Sequence, residues 1–377
     1  MAFHFQYVNY IYYPLIGLFV ISVLLQLWFY FGIYSRIIFY KRAPQLKKFP
    51  ISIIICARNE ADNLIKNLPS ILQQKHEDFE VVVVNDCSTD ETEEVLAVLL
   101  RKYKNLRTTT ITPDKKFSHG KKLALTLGIK AAKNEWLVFT DADCYAESEH
   151  WLERIQENYT DKNEIVLGYG GYKEYPGWLN KYIRYDTMMI ALQYFGFALS
   201  GIPYMGVGRN LSYRKSLFFR NKGFATHYEI LSGDDDLFVN ETANKNNVAV
   251  EFHPESHTRS EPKQKWKQWF EQKKRHFSTA ERYKPKHFFL LGIEPFSRFL
   301  FYLTGIFLLS LSIFSTYVLI LAGFRLLILL ILTKLTMERL KEREFWLLII
   351  IFDVISLFIN FMIYLSTRLR SKKLRWK

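Results

Sequence analysis

The chain has 377 residues, enough for one large domain or two smaller ones with a proper core. Hydrophobic residues make up 49% and aromatics 16%, concentrated at the two ends, which excludes an ordinary soluble protein. The net charge of +14 is gathered beside those apolar ends, which favours anionic lipid headgroups over nucleic acid as the partner.

Residues 1–35 contain no Lys, Arg, Asp or Glu, and Tyr10 to Ile33 is long enough to cross a bilayer, which takes ~20 apolar residues. The segment lacks the basic start and small-residue cleavage site of a signal peptide, so it reads as a retained transmembrane helix. Arg36, Lys41, Arg42, Lys47 and Lys48 follow it. Basic flanks mark the cytoplasmic side, which places residues 36–298 and the basic C-terminus (Arg368 to Lys377) inside. Next, Ile51–Cys56 and Val81–Val84 are short continuous apolar runs, as expected for strands covered on both faces. Helices are predicted over 60–74, over Asp90 to Lys102 and over Gly120 to Ala132, with further strands at 136–140 and Glu164–Gly168. Ser88-Thr-Asp90 followed by Glu91, Glu93 and Glu94 places acids at the positive end of the second helix. Strand and helix alternating at this spacing imply right-handed crossovers and a parallel sheet. No G-x-G-x-x-G follows the first strand, which counts against a dinucleotide-dependent dehydrogenase.

Residues 261–287 hold nine Lys or Arg against three Glu, with Trp266, Trp269 and Phe270 at helical spacing, and read as an amphipathic helix on the membrane surface. Residues 299–324 are free of charge between Arg298 and Arg325, and Phe345 to Ser366 is a third span interrupted by Asp353 and Asn360. The basic stretch 325–344 falls outside the membrane in a two-span hairpin, against the charge rule, unless Leu326–Leu332 is re-entrant or lies in the interface. The predicted divisions are a transmembrane helix over 1–35, a cytoplasmic domain over 36–287 and a membrane region over 288–377. Cys56, Cys87 and Cys144 are an odd, unspaced set that reads as reduced thiols, with no zinc site.

The predicted strand Trp136–Thr140 runs directly into Asp141-Ala142-Asp143. On an extended backbone, side chains two residues apart leave on the same side, so both carboxylates can face one divalent cation whose shell is completed by water and phosphate. Alone, the pair is equally a strand-end turn. Other polar stations fall in order around it: Ala57-Arg-Asn-Glu60, Asn85-Asp86-Cys-Ser-Thr-Asp90, His119-Gly-Lys-Lys122, Gly206-Val-Gly208-Arg-Asn210, Gly233-Asp234-Asp235-Asp236 and Gln272-Lys-Lys-Arg275-His276. Asp86 can bind a uracil imide or a ribose hydroxyl, or serve with Asp90 as a turn and cap residue. Lys121 and Lys122 open a helix that can meet a pyrophosphate, or form a solvated face. Three adjacent aspartates repel, which raises the pKa of one of them or requires a cation nearby.

Together these stations resemble the membrane-bound family 2 glycosyltransferases, relatives of the cellulose, chitin and hyaluronan synthases and ceramide glucosyltransferases, over residues 45–285. The resemblance implies an α/β GT-A fold, a Rossmann-like nucleotide-sugar-binding domain flanked by N- and C-terminal transmembrane helices. It implies that Ala57, Glu60, Asp86 and Lys121 hold the donor, and that Asp141 and Asp143 bind Mg²⁺ or Mn²⁺ on its diphosphate. The family's acidic pair falls on Asp234-Asp235. Asp235 is the implied base because Asn240 keeps the spacing of hyaluronan-type synthases, with Asp236 as the alternative. The Q/R-x-x-R-W motif maps onto Gln272 and Arg275, with His276 where tryptophan is usual and Trp266 and Trp269 nearby as substitutes. Gly206, Gly208 and Asn210 fall in the acceptor-side loop. The implied activity is inverting transfer from a nucleotide sugar, a UDP-sugar by preference, to a lipid or growing glycan at the cytoplasmic membrane face. A processive polysaccharide synthase and a silent membrane scaffold are the alternatives.

Overall fold

The computed structural model describes residues 2–42, 47–112, 120–230 and 232–369. Helix α1 (Ala2–Trp28) continues through a π-helical turn, Phe29–Tyr34, into α2 (Arg36–Phe39). The chain then builds β1 (Ile51–Ala57), α3 (Ala61–Leu72), β2 (Phe79–Asp86), α4 (Thr92–Lys102), β3 (Leu106–Ile111), α5 (Lys121–Ala131) and β4 (Trp136–Phe139). These four strands are parallel in the order β3-β2-β1-β4. The apolar runs of β1 and β2 are buried because helices cover the sheet. Gly128 of α5 lets that helix close onto the strands: a Cβ there would stand 2.7 Å from Ile54 and 3.0 Å from Val84.

Beyond β4 come β5 (Cys144–Ala146), α6 (Trp151–Gln156), β6 (Ile165–Gly168), β7 (Gly170–Tyr172), the long α7 (Trp178–Leu199), β8 (Leu211–Arg214), α8 (Lys215–Arg220), α9 (Asp236–Thr242), β9 (Val248–Glu251) and β10 (Thr258–Ser260). The main sheet has seven strands, β3-β2-β1-β4-β8-β6-β9, and it is mixed rather than wholly parallel. β8 runs antiparallel to both neighbours, because the chain enters it straight from the loop over the C-terminal edge of β4 and needs no crossover. A second sheet, β5-β10-β7, sets Ser260 opposite Cys144 and beside Tyr172.

The C-terminal part holds α10 (Trp266–Ala280), α11 (Pro285–Ser310), α12 (Ser315–Leu340) and α13 (Ile349–Leu369). Four stretches are long and apolar enough to cross a membrane: Tyr12–Phe39, Pro285–Ser310, Ser315–Leu340 and Trp346–Thr367. The single span expected over 299–324 is therefore two helices. Ser312 and Phe314 take left-handed conformations, φ 55° and 48°, which end the helix without any Gly, Pro or charge to announce it. Nor is Leu326–Leu332 re-entrant, since it lies within α12. Arg325, read as a flanking charge, is fully buried mid-helix and donates to Asp353 Oδ2 at 2.6 Å and to Gln26 Oε1 at 2.8 Å. Arg298 donates to Asp353 Oδ1 at 2.9 Å, so one carboxylate ties α11, α12 and α13 together.

α10 packs along α7 and α13. Trp269 is buried edge-on against Tyr182, 5.3 Å between ring centres, and Lys273 pairs with Asp186 at 2.8 Å. Only part of the aromatic row, Trp266 at 42% exposure, remains open.

Candidate active site

The site lies where β1, β2 and β4 end, at the edge where an open α/β sheet presents ligands. Past β4, a turn delivers Asp141 and Asp143, whose side-chain oxygens lie within 4.8 Å of each other and of the Cys144 sulfur. Lys121, in the first turn of α5, bridges two distant acids: its Nζ is 2.9 Å from Asp141 Oδ1 and 3.0 Å from Asp234 Oδ2. Burial alone would lower the Lys121 ammonium pKa, but Asp141, Asp234 and Asp235 outweigh it and hold it well above the ordinary value. Asp141 is lowered in turn, since Lys121 overcomes the cost of its burial. Asp143 moves the other way, raised by burial and by the charge of Asp141. It accepts a bond from Ser260 Oγ at 3.2 Å and forms no ion pair among the described residues, although the charge of Arg209 opposes the rise. With Lys121 on one oxygen of Asp141, the other oxygen and Asp143 form a hard oxygen pair that a divalent cation fits.

The three adjacent aspartates separate by environment. Asp234 faces Lys121. Asp236 turns inward: its Oδ2 accepts from Thr279 Oγ1 and from Tyr283 Oη at 2.7 Å, both on or just after α10, and its Oδ1 caps Leu237 N at 2.8 Å. Asp235 stays at the cavity, which it lines with Lys121, Asp141, Gly208 and Asp234. Its Oδ2 accepts the Gly208 N–H at 2.6 Å and its Oδ1 accepts the Asp236 N–H at 2.8 Å. Burial, then Asp234 and Asp236, push its pKa up to about 7. On the far side, Asp86 at the end of β2 is 1% exposed, and among the described residues neither of its carboxylate oxygens accepts a hydrogen bond. Asp90 is consumed structurally, accepting from Thr92 N at 3.1 Å and from Ala61 N at 3.2 Å.

A parallel α/β edge with paired metal-type acids, a buried Asp and an elevated Asp can now be set beside known proteins. Residues 52–220 match the family described as Glycosyl transferase family 2. They are a family 2 glycosyltransferase domain. An uncharacterized glycosyltransferase of Haemophilus influenzae is 29% identical over 124 residues, covering 33% of this chain and 36% of the relative. The poly(ribitol-phosphate) beta-glucosyltransferase of Bacillus spizizenii is 32% identical over 120 residues, 31% of this chain and 18% of the relative. The 4,4'-diaponeurosporenoate glycosyltransferase of Staphylococcus haemolyticus is 37% identical over 109 residues, 29% of this chain and 28% of the relative. The chain thus spans about a third or less of the length of these curated relatives. A mannosyltransferase of Pyrobaculum calidifontis, solved in complex with GDP-Man and Mn²⁺, superposes with a TM-score of 0.57 at 18% identity, covering 92% of this chain and 98% of that one. The likeness shows the GT-A fold.

Within the glycosyltransferase domain, several side chains named from the sequence are placed differently. Asn210 does not face an acceptor: its Nδ2 donates to Tyr169 O at 2.9 Å and Ser256 O at 2.7 Å, and its Oδ1 accepts from Trp151 Nε1 at 3.2 Å. Gly206 is a packing glycine between Leu167 and Leu211. Trp269 is buried under Tyr182 and is not free to stack on a sugar. Ala57 is buried at the tip of β1, and Glu60 follows it, its carboxyl raised by burial despite a 2.5 Å bond from Asn63 Nδ2. Gln272 reaches the site indirectly, donating to Tyr172 Oη at 3.1 Å. Arg275 is half-buried on the same helix and acts electrostatically on Asp141, while His276 is exposed. His119 lies outside the described residues. One residue carried no role in the sequence reading: Arg209, whose guanidinium stands 4.2 Å over the Tyr172 ring beside Asp141 and Asp143. Its only local signal was its place between Gly208 and Asn210.

Proposed function

We propose that the protein is a metal-dependent, inverting glycosyltransferase that moves a sugar from a nucleotide sugar, a UDP-sugar first, to a lipid or growing glycan. Residues 36–287 would be the catalytic unit at the cytoplasmic face, held by membrane regions at 1–35 and 288–377. The observation that carries this reading is the convergence at one sheet edge of the buried Asp86, the Asp141–Asp143 pair, Lys121 and the elevated Asp235. Asp141 and Asp143 would hold Mg²⁺ or Mn²⁺, which neutralises diphosphate charge when bound. That metal accords with the Mn²⁺ and GDP-Man of the mannosyltransferase complex.

Asp86 and Glu60 would take the nucleoside end of the donor. Asp235, poised near neutrality, would accept the proton of the acceptor hydroxyl as that oxygen attacks the anomeric carbon. The bond to the diphosphate breaks in the same displacement, and Lys121 and Arg275 would stabilise the departing charge. One displacement on an α-linked donor gives a β-linkage. The burial of Trp269, which removes a stacking surface for a sugar chain, favours single transfer over processive polymerisation.

The test is release of nucleoside diphosphate by the detergent-purified full chain from UDP- and GDP-sugars, with and without Mn²⁺ or Mg²⁺ and with lipid extract as acceptor. Metal-dependent release with one donor is expected, and product size then separates single transfer from polymerisation. No release together with no donor binding would leave the silent scaffold.

A further inference from the structure

Arg209 follows Gly208, the residue whose N–H holds Asp235, and its own backbone is fixed from two sides. Its carbonyl accepts from Thr140 Oγ1 at 3.0 Å, next to Asp141, and from Thr258 Oγ1 at 2.9 Å, on β10. Gly170 makes room for the side-chain stem: a Cβ there would come within 2.8 Å of Arg209 Cβ. The guanidinium then lies on the Tyr172 ring, whose hydroxyl is held by Gln272 from α10.

A guanidinium has five N–H donors in a rigid fork. Among the described residues Arg209 makes one hydrogen bond through them, from Nη1 to Gly171 O at 3.3 Å, and forms no ion pair. The contrast with the four buried arginines is sharp. Arg184 and Arg259 are matched to Glu342, and Arg298 and Arg325 to Asp353. The lysine nearest the site, Lys121, is matched twice. A preorganised fork with spare donors, set beside the cation-type carboxylates, suits a planar or tetrahedral oxyanion.

We infer that Arg209 binds a phosphate oxyanion of a substrate, either the donor's diphosphate or the phosphate of an anionic lipid acceptor. The inference rests on the glycosyltransferase reading for the identity of the substrates, though not for the presence of an oxyanion site.

The test uses the full chain in detergent with Mn²⁺ and compares wild type with Arg209→Gln and Arg209→Lys by calorimetric titration. The probes are UDP, GDP, and dodecyl phosphate against neutral dodecanol. A loss of nucleotide affinity of roughly tenfold or more in Arg209→Gln, milder in Arg209→Lys, assigns the donor diphosphate. Unchanged nucleotide affinity with loss of the preference for dodecyl phosphate over dodecanol assigns the lipid phosphate. Wild-type affinities for both in either folded variant overturn the proposal. Should Arg209→Gln fail to fold, Arg209→Lys, which keeps the charge but loses the fork, decides it. A wild type that releases no nucleoside diphosphate from any donor defeats the glycosyltransferase reading, and binding of dodecyl phosphate still tests Arg209.

Discussion

Asp234, Asp235 and Asp236 are chain neighbours with three fates, and the differences come from what each one meets. Lys121 neutralises the first, two hydroxyls on the α10 side hold the third, and the second is left between two backbone N–H groups at the cavity. Asp235→Asn is therefore expected to lower turnover by about 10²–10⁴-fold while nucleotide and metal binding persist, as read by product release beside titration calorimetry. Undiminished turnover would remove Asp235 as the base. With its pKa pushed up to about 7, the acid limb of the kcat/KM profile should rise through that pH, and no such limb should remain in Asp235→Asn. Stability moves oppositely. A carboxyl raised in the folded state favours folding below its ordinary pKa of about 4, and that contribution is lost as pH rises through about 7. Thermal melts of the donor-free protein should show that decline in wild type and not in Asp235→Asn. The acids themselves were legible because they are adjacent in the chain or one residue apart. Asn210 and Trp269 were misplaced because the direction of a side chain depends on packing partners far away in sequence, Ser256 and Tyr182 among them.

At the scale of elements, the segment between α12 and α13 is plugged into the catalytic domain. Glu342, wholly buried, accepts from Arg184 Nε and Tyr169 Oη, each at 2.8 Å, and pairs with Arg259 of β10. The next residue in β10, Ser260, donates to Asp143, so the clamp borders the metal-type pair. Removing one partner strands buried guanidinium charge, and Glu342→Ala should destabilise the protein by about 3–5 kcal/mol, seen as a lower Tm in detergent. Glu342→Gln, which keeps acceptor capacity, should cost less. Equal melting of Glu342→Ala and wild type would show that the clamp adds nothing. Helices α3, α4 and α5 and the strands β1, β2, β4 and β6 were readable from period and apolar runs, whereas β3 went unread. The long α7 was not, since it is buried on most sides and shows no amphipathic period, and β8, only four residues long after a glycine-rich turn, was not read as a strand.

For the whole molecule, the α11–α12 hairpin explains why the basic stretch 325–344 looked misplaced. α11 leaves the domain beside Asn240, which accepts the Lys284 N–H at 3.0 Å, and α12 returns to it at Glu342. Each helix has 26 residues, about 39 Å long at 1.5 Å per residue, so the turn at 311–314 stands far from the domain while Lys341 and Arg343 lie beside it. A cysteine at Ser312, in a chain whose Cys56, Cys87 and Cys144 are replaced by alanine, should react with an impermeant thiol reagent only from the face opposite the catalytic domain. A cysteine at Lys341 should react only from the domain's own face. Labelling of both positions from one side would refute the hairpin.

What the sequence by itself determined are the features written in neighbouring residues. They are apolar stretches long enough for a bilayer, short apolar strands alternating with amphipathic helices, and acids at strand ends spaced to meet a cation. Each follows from local period and from the geometry of an extended chain. Tertiary structure alone decided which charges are spent and which are free. Lys121 meets Asp234, Glu342 meets Arg184 and Arg325 meets Asp353 across long sequence separations, while Asp86 and Arg209 keep spare polar capacity at the site. The reason is physical: a buried charge is tolerable only beside its counter-charge, and the fold, not the local sequence, brings the two together.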